Sequence, residues 1–456
     1  MGGPRRGGGR PELARARKRM GMSQDEIAEA LWVSPTTWSR WERGRQEIRP
    51  VYRARMAEVF GVDPAEVERW VDGRAAVDTE AWLVSDCSDL SLAATVEAAG
   101  RLWRCDVDPD RRHVLAALPF VPAVLGNWLS EWTYGLPPEP VTCRGTGRAV
   151  GRSDVRRMND AWQAFAEMDH RFGAGLVRPA VVDYLHSTVG PLLHGRYDDR
   201  VGAELMTAAA RLTQMAGWTA FDLGHQGKAQ YYFGQALKMA KAGDDALTAA
   251  WVMTALMYQA IHLDQAAWAI RLARAAGDTA RLGQATPRVM ALLLSREAWA
   301  TALQTGKNRD GHTIRRVERL LGDAERAYEQ GTTDRDPAWA ASYEVTNLTS
   351  ESSRCWHLLG EHRRAVEAAE ATLSAFGERR IRSAQLARVN AAEAYLGMGE
   401  VDQAVDVART AISSARSLTS ARLVERIRRF SDRLEPYGAT VQVKEFRAYL
   451  DGELVS

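Results

Sequence analysis

Cysteine is scarce and scattered in this sequence. The four cysteines are Cys87, Cys105, Cys143 and Cys355, and they form neither a CxxC pair nor a closely spaced framework. This spacing excludes a disulfide-rich secreted domain and a cysteine zinc site, so reduced cytoplasmic thiols are expected.

Long apolar runs are also missing. The most apolar run, residues 114–129, is interrupted by Pro119 and Pro122, and it is shorter than the ~20 residues that a membrane-spanning helix needs. The opening MGGPRRGGGR has no apolar core of the kind found in signal peptides. We therefore expect a cytoplasmic protein without a membrane partner.

The sequence has no recognisable catalytic motif. Its Gly-Lys pairs, at 227–228 and 306–307, lack the rest of a phosphate-binding loop. One region is rich in histidine, but it has neither an HExxH motif nor a cysteine partner; these histidines are His170, His186, His194 and His225. We predict no enzyme, no metal and no cofactor.

Positive charge is concentrated at the start of the chain. Residues 1–61 contain thirteen Lys or Arg and seven Asp or Glu, a net charge of +6, while the whole chain carries +2. A basic head on a mildly acidic body is typical of a protein that binds a polyanion. The first ten residues, mostly Gly and Arg, predict a disordered basic tail, with an arm in the DNA minor groove as the alternative.

Helical periodicity covers most of the chain and predicts an all-α fold. We expect a DNA-binding domain over 11–70, a helical connector and linker over 71–152, and helical repeats over 153–456. Ser153 is the expected cap of the first helix in the repeat region. That helix should bury Val155, Met158, Trp162, Phe165 and Met168.

Three segments of the repeat region share one pattern: 223–237, 359–373 and 398–412. In each, a glycine is followed by an alanine five residues later, at Ala229, Ala365 and Ala404. Glycine ends a helix in a tight turn, and small residues let the next helix approach closely. The pattern resembles the tetratricopeptide repeat in a degenerate form over about 200–430. An ordinary alanine-rich helical bundle is the alternative.

Residues 11–61 contain the signals of two short helices joined by a tight turn. Gly21 should end a first helix, and Ser23 with Glu26 forms a capping box at the start of the next. Ser34 caps a third helix that carries Trp38 and Trp41 inward and ends at Gly44. This arrangement predicts a helix-turn-helix.

The segment SQDEIAEALWVSPTTWSRWERGR resembles the Xre/Cro/phage-repressor family of transcriptional regulators. The resemblance implies that residues 34–41 enter the major groove of double-stranded DNA. Arg40 is the main candidate reader, since a guanidinium can bond guanine O6 and N7 together, and Thr36 can touch a thymine methyl. The residues implied at base edges are Pro35, Thr36, Ser39 and Arg40. Those implied at phosphates are Gln24, Arg43 and Arg45.

Two further residues of this segment carry expectations. Glu42 should form an internal ion pair with an arginine of the first helix, such as Arg17. Trp32 stands where the family usually has glycine, so we expect a strained left-handed residue there. The alternative to DNA binding is that the helix-turn-helix is retained for docking a protein.

A DNA reader joined to helical repeats is similar in layout to the peptide-sensing regulators of Gram-positive bacteria, and 169–234 resembles actinobacterial repeat-containing regulators. The resemblance implies that groove amides, here Asn347 and Asn390, clamp a peptide. The alternative is that each asparagine is solvated or locally bonded.

We predict a homodimeric regulator whose repeats sense a ligand, peptide or protein. The alternatives are a repeat scaffold that binds DNA weakly and a protein that sequesters or dephosphorylates a response regulator.

Overall fold

The structure is a computed structural model of the 456-residue chain. The described residues are 10–46, 48–62, 67, 70–71, 91–108, 111–116, 118–135, 141–144, 147–305, 310–375, 381–415 and 420–454. The chain forms two compact units, 1–85 and 86–456. The described residues are almost entirely helical, which confirms the predicted all-α fold. The predicted tail lies outside them except for Arg10, and so does the smaller part of the predicted connector.

The smaller unit is built from short helices. They are α1 (Pro11–Arg19), α2 (Gln24–Ala30), α3 (Pro35–Glu42) and α4 (Pro50–Phe60). The expected capping box is present, because the Ser23 hydroxyl accepts from the Glu26 amide at 3.2 Å while Glu26 accepts from the Ser23 amide at 2.7 Å. The Ser34 hydroxyl caps α3 by accepting from the Thr37 amide at 3.1 Å. These caps fix where α2 and α3 begin.

The larger unit opens with helices outside the repeats. They are α5 (Leu92–Val107), α6 (Arg112–Ala116) and α7 (Pro122–Tyr134). Asp106 anchors α5, because it accepts from Lys228 at 2.8 Å and Tyr232 at 2.7 Å and pairs with Arg178. These partners hold α5 against the helices that follow.

A short antiparallel ladder and a group of helices come next. Strands β1 (Cys143–Arg144) and β2 (Arg196–Tyr197) pair with Cys143 opposite Tyr197. Between them lie α8 (Arg152–Phe172), α9 (Ala174–Tyr184), a π-helical turn (Leu185–Val189) and α10 (Gly190–Leu193).

The rest of the larger unit is a series of packed helix pairs. The pairs are α11 (Asp199–Asp222) with α12 (Gln226–Ala242), α13 (Ala246–His262) with α14 (Ala266–Leu282), α15 (Pro287–Thr305) with α16 (Gly311–Glu329), α17 (Val345–Leu359) with α18 (His362–Ala375), and α19 (Ile381–Gly397) with α20 (Val401–Ala415). A 3₁₀ turn (Ala340–Ser342) precedes α17. The chain continues with α21 (Ala421–Arg433), a 3₁₀ turn (Glu435–Tyr437) and α22 (Val441–Leu454). Each pair packs on the next, so this series is a helical-repeat array.

The predicted repeat positions pack as expected. Ala229, Ala365 and Ala404 are fully buried between helices. Gly360 and Gly399 end their helices with φ of 81° and 84°. The small residues therefore allow the close approach that the repeat pattern requires.

The turns between helices recur every 20 residues in the first part of the array. The residues Gly224, Asp244, Asp264 and Gln284 all have positive φ. After each one, the next amide bonds back across the turn, as in His225 N to Ala220 O at 2.9 Å and Asp245 N to Ala240 O at 3.0 Å. This is the hydrogen bond of a Schellman cap.

Helix α8 differs from the sequence prediction at both ends. Gly151 is its N-cap and Asp154 accepts the Gly151 amide at 3.0 Å, so Ser153 lies in the first turn and the predicted Ser153 cap is wrong. Near the other end Met168 is 37% exposed and Asp169 is buried. Asp169 turns inward because Arg382 holds its two carboxylate oxygens at 3.1 and 2.6 Å.

Contacts join early and late helices of the larger unit. Arg382 on α19 bonds Asp169 on α8 and Asp222 on α11, the latter at 3.2 Å. Arg422 on α21 bonds the other Asp222 oxygen at 3.0 Å. Burial alone would raise the pKa of Asp222, but these two guanidinium groups keep it below its ordinary value. A buried ionic cluster therefore joins α8 and α11 to α19 and α21.

Within the described residues, no helix combines the length and the apolar character that a bilayer crossing requires.

Candidate nucleic-acid interface

Glu42, the last residue of α3, organises the smaller unit. Its carboxylate accepts from Arg17 Nε at 2.8 Å, from Trp38 Nε1 at 2.9 Å and from the Gln24 amide. These donors lie on α1, α2 and α3, and Arg17 also bonds the Met22 carbonyl at 2.7 Å. The predicted Arg17–Glu42 ion pair is confirmed, and one carboxylate fixes three helices together.

The orientation of α3 follows from its two tryptophans. Trp38 and Trp41 are buried and meet edge to face, with ring centroids 6.3 Å apart. Phe60 packs against Trp38 and Tyr52 against Trp41. With one face of α3 fixed in the core, the opposite face points to solvent.

Most of the predicted DNA-contacting residues meet on that outward face. A broad surface depression of about 650 Å³ is lined by Pro35, Thr36, Ser39, Arg40, Arg43, Arg45 and Gln46. Arg40, Arg43 and Arg45 are exposed, and none forms an ion pair with a described residue. Among the described residues, no acidic side chain lines the depression. The surface is therefore cationic and open, with guanidinium groups available for an external anion.

The end of α3 places its last two arginines. Gly44 has a φ of 66°, and the Arg45 amide bonds back to the Arg40 carbonyl at 2.9 Å. Arg10, at the edge of the predicted tail, donates to the Trp41 and Gln46 carbonyls at 2.9 Å each. The chain after α3 is thereby held beside the depression.

The positions of two glutamines relative to the depression do not follow from the family pattern. Gln24, implied as a phosphate contact, is half-buried, lies outside the depression and donates its amide to Glu42. Gln46 lines the depression, although the family pattern did not point to it. Its position just beyond Gly44, in a turn that reverses toward α3, is the signal that could have identified it.

Trp32 occupies the turn between α2 and α3 as the sequence predicted. Its φ is 58°, and its side chain is 78% exposed. The Arg55 guanidinium lies 3.7 Å from the ring centroid. A cation–π contact of this kind offsets part of the cost of the left-handed backbone.

The two predicted groove asparagines lie at different cavities of the larger unit. Asn347 lines a cavity of about 230 Å³, and its side-chain oxygen caps its own helix by accepting from the Glu344 amide at 2.9 Å. Asn390 is buried beside a second cavity, of about 160 Å³, and accepts from Arg426 at 3.0 Å. Both side chains have local partners, and peptide clamping stays a prediction.

Comparison with known proteins bears on the smaller unit. Residues 11–70 match a family described as a helix-turn-helix domain. A search of curated proteins found no match to this chain. The match covers the helices that build the cationic depression.

Proposed function

We propose that this protein is a sequence-specific DNA-binding transcriptional regulator of the Xre/Cro type. The observation that carries the proposal is the exposed cationic surface at α3, where Arg40, Arg43 and Arg45 line one depression and form no ion pair with a described residue. An exposed helix with side chains aimed at base edges and flanking cations is the arrangement that reads a major groove.

The arginines divide into two roles. Arg40 lies within the exposed face of α3 and reads a base, while Arg43 and Arg45 follow the helix and bind phosphates. Pro35, Thr36 and Ser39 complete the base-facing surface. Gln24 supports this surface by donating its side-chain amide to Glu42. It contacts a phosphate only if that amide leaves Glu42 or bonds both groups.

We infer that the larger unit is the regulatory part of the protein. Its array, related to tetratricopeptide repeats, mediates dimerisation and senses an effector, and the protein acts in the cytoplasm as a binding protein rather than an enzyme. What supports an effector role is the pair of cavities along the first helices of the repeat pairs. A change in the array would alter the spacing of two DNA-reading units.

The test is selection of preferred sites from random double-stranded DNA, followed by affinity measurements. Arg40→Ala should lower affinity for the selected site by about tenfold or more and relax the preference at one position, because a bidentate base contact contributes ~1–3 kcal/mol of discrimination. Arg43→Gln and Arg45→Gln should weaken binding to all sequences and lower the salt dependence by about one ion each.

Arg326→Ala is the matched control, because this exposed arginine belongs to the larger unit and pairs with Asp323. Wild-type protein that enriches no sequence from the random pool would overturn the regulator proposal.

A further inference from the structure

The larger of the two cavities is walled by aromatic rings. Trp251 stacks on Trp339 with centroids 5.5 Å apart and planes 10° apart, and it meets Trp162 edge to face at 5.9 Å. Trp218 and Tyr258 meet at 90° on the same lining. The wall therefore offers flat apolar surfaces suited to a planar ring.

The same lining contains buried donors that the described residues leave without an acceptor. Trp162 and Trp339 are 7% and 2% exposed, and neither indole N–H has a hydrogen-bond partner. Arg354 Nε is likewise buried and unpartnered. Each of these groups can only donate, so the chemistry that satisfies them is an acceptor.

Charge at the cavity points to an anionic acceptor. Arg382 and Arg422 are held by Asp169 and Asp222, as described above. Arg296 lies 3.5 Å from Glu351. Arg354 forms no ion pair or hydrogen bond with any described residue, and its guanidinium lies 4.7 Å from the Trp299 ring centroid. Arg354 is therefore a cation available to a ligand.

Arg354 also lies where the two cavities adjoin. Four residues line both of them: Tyr258, Arg354, Leu386 and Arg422. The volumes of about 230 and 160 Å³ are below the ~300–1,000 Å³ of sites for drug-sized ligands. Such a space suits a compound of one or two rings better than a folded peptide.

We propose that this pair of cavities binds a small organic anion with a planar aromatic ring. Arg354 binds its carboxylate or phosphate group, and the tryptophans flank its ring. The inference rests on the effector part of the proposed function and supplies its ligand class. Neither Asn347 nor Asn390 has a required role in it.

The experiment is calorimetric titration of the full chain with three aromatic anions and their uncharged counterparts. The pairs are 2-naphthoate with 2-naphthamide, indole-3-acetate with indole-3-acetamide, and 1-naphthyl phosphate with 1-naphthol. At least one anion should bind once per chain and about tenfold or more tighter than its counterpart, because a charge-assisted bond to Arg354 is lost in the neutral compound.

Three variants locate the site. Arg354→Gln should weaken the bound anion about tenfold or more and remove the preference over its neutral counterpart. Trp339→Phe leaves a smaller aromatic surface on the cavity wall, so it should weaken binding severalfold while the charge preference stays. Arg326→Gln, on the outer surface, should bind as wild type does.

Several results would overturn the assignment. These are no binding of any of the three anions at about 5 mM, equal binding of charged and neutral members, or wild-type affinity in Arg354→Gln. A peptide ligand lost in Asn347→Ala and Asn390→Ala but retained in Arg354→Gln would also overturn it. Anion binding without DNA-sequence preference would contradict the regulator proposal alone, and intact DNA readout without anion binding would contradict this inference alone.

Discussion

Among single side chains, Glu42 is the one on which the helix-turn-helix unit most depends. We expect Glu42→Gln to destabilise that unit by ~2–3 kcal/mol, because it leaves the nearly buried Arg17 without its counter-charge. Hydrogen exchange of peptides from residues 11–62, measured on the full chain, would report the loss.

Glu29→Gln is the matched control, since Glu29 is exposed on α2 and should leave exchange unchanged. Equal exchange in the Glu42 and Glu29 variants would show that the carboxylate does not hold the three helices.

We expect His357 to make the free energy of unfolding depend on pH. Burial lowers its pKa to about 4, and Arg433, His362 and Arg426 act in the same direction against the raising effect of Glu393. The unfolded chain binds a proton near the ordinary value of 6.5, and the folded chain does not. Falling pH therefore favours unfolding between about 6.5 and 4, by at most ~1.4 kcal/mol per pH unit from this histidine.

The measurement is the urea midpoint of the wild type and of His357→Gln across that pH range. The variant should lose less stability on acidification than the wild type. His312→Gln, at an exposed position of α16, serves as the control and should follow the wild-type curve. Parallel curves for the wild type and His357→Gln would contradict the assignment.

At the scale of elements, the turns of the array tolerate left-handed residues at a cost that differs with the side chain. Asp244 has a φ of 51° and Gly399 a φ of 84°. Asp244→Gly should stabilise the protein by ~0.5–1 kcal/mol, and Gly399→Ala should destabilise it by about 1 kcal/mol. A Cβ at Gly399 would meet nothing within 4 Å, so the penalty is that of the backbone.

Thermal unfolding of the two variants would check this. Shifts of the same sign in both would mean that the turn conformation does not set their stability.

The same turns show what the sequence could predict. Gly360 and Gly399 were recognisable because glycine is the usual left-handed residue. The turns at Asp244, Asp264 and Gln284 were not recognisable, because Asp and Gln do not prefer the left-handed conformation strongly enough to predict such a turn. The 20-residue period of the turns was therefore not predicted. The caps of α2 and α3 were predictable because their hydrogen bonds span only three residues.

Partners that lie far apart in the chain limit how much of each site the sequence can predict. The helical spacing of α8 predicted Met168 inside, but it could not reveal Arg382, which lies 213 residues from Asp169 in the chain. The sequence did not identify Arg354 for the same reason. Arg354 is available to a ligand because the carboxylates of the cavity pair with other arginines. The outward face of α3 was predictable, since its inward tryptophans are local to the helix.

At the scale of the whole molecule, the proposed regulator should act as a dimer. Sedimentation velocity should give twice the 50.5 kDa mass of the chain, and the selected DNA should contain two half-sites about 34 Å, or one helical turn, apart. Inserting about half a turn between them should lower affinity about tenfold or more, because the two reading helices would face different sides of the duplex. A monomer that binds a single half-site equally well would contradict the dimer.

The buried ionic cluster affects how the larger unit folds during synthesis. Its members are Asp169, Asp222, Arg382 and Arg422. In an open solenoid each repeat can fold as soon as its neighbour exists, and the ends can unravel alone. Here α8 and α11 complete their buried ionic partners only when α19 and α21 arrive, some 200 residues later. During synthesis these carboxylates stay solvated until nearly the whole chain has left the ribosome. We therefore expect the larger unit to fold slowly and concertedly, with the packing of α19 and α21 against α8 and α11 as a late step.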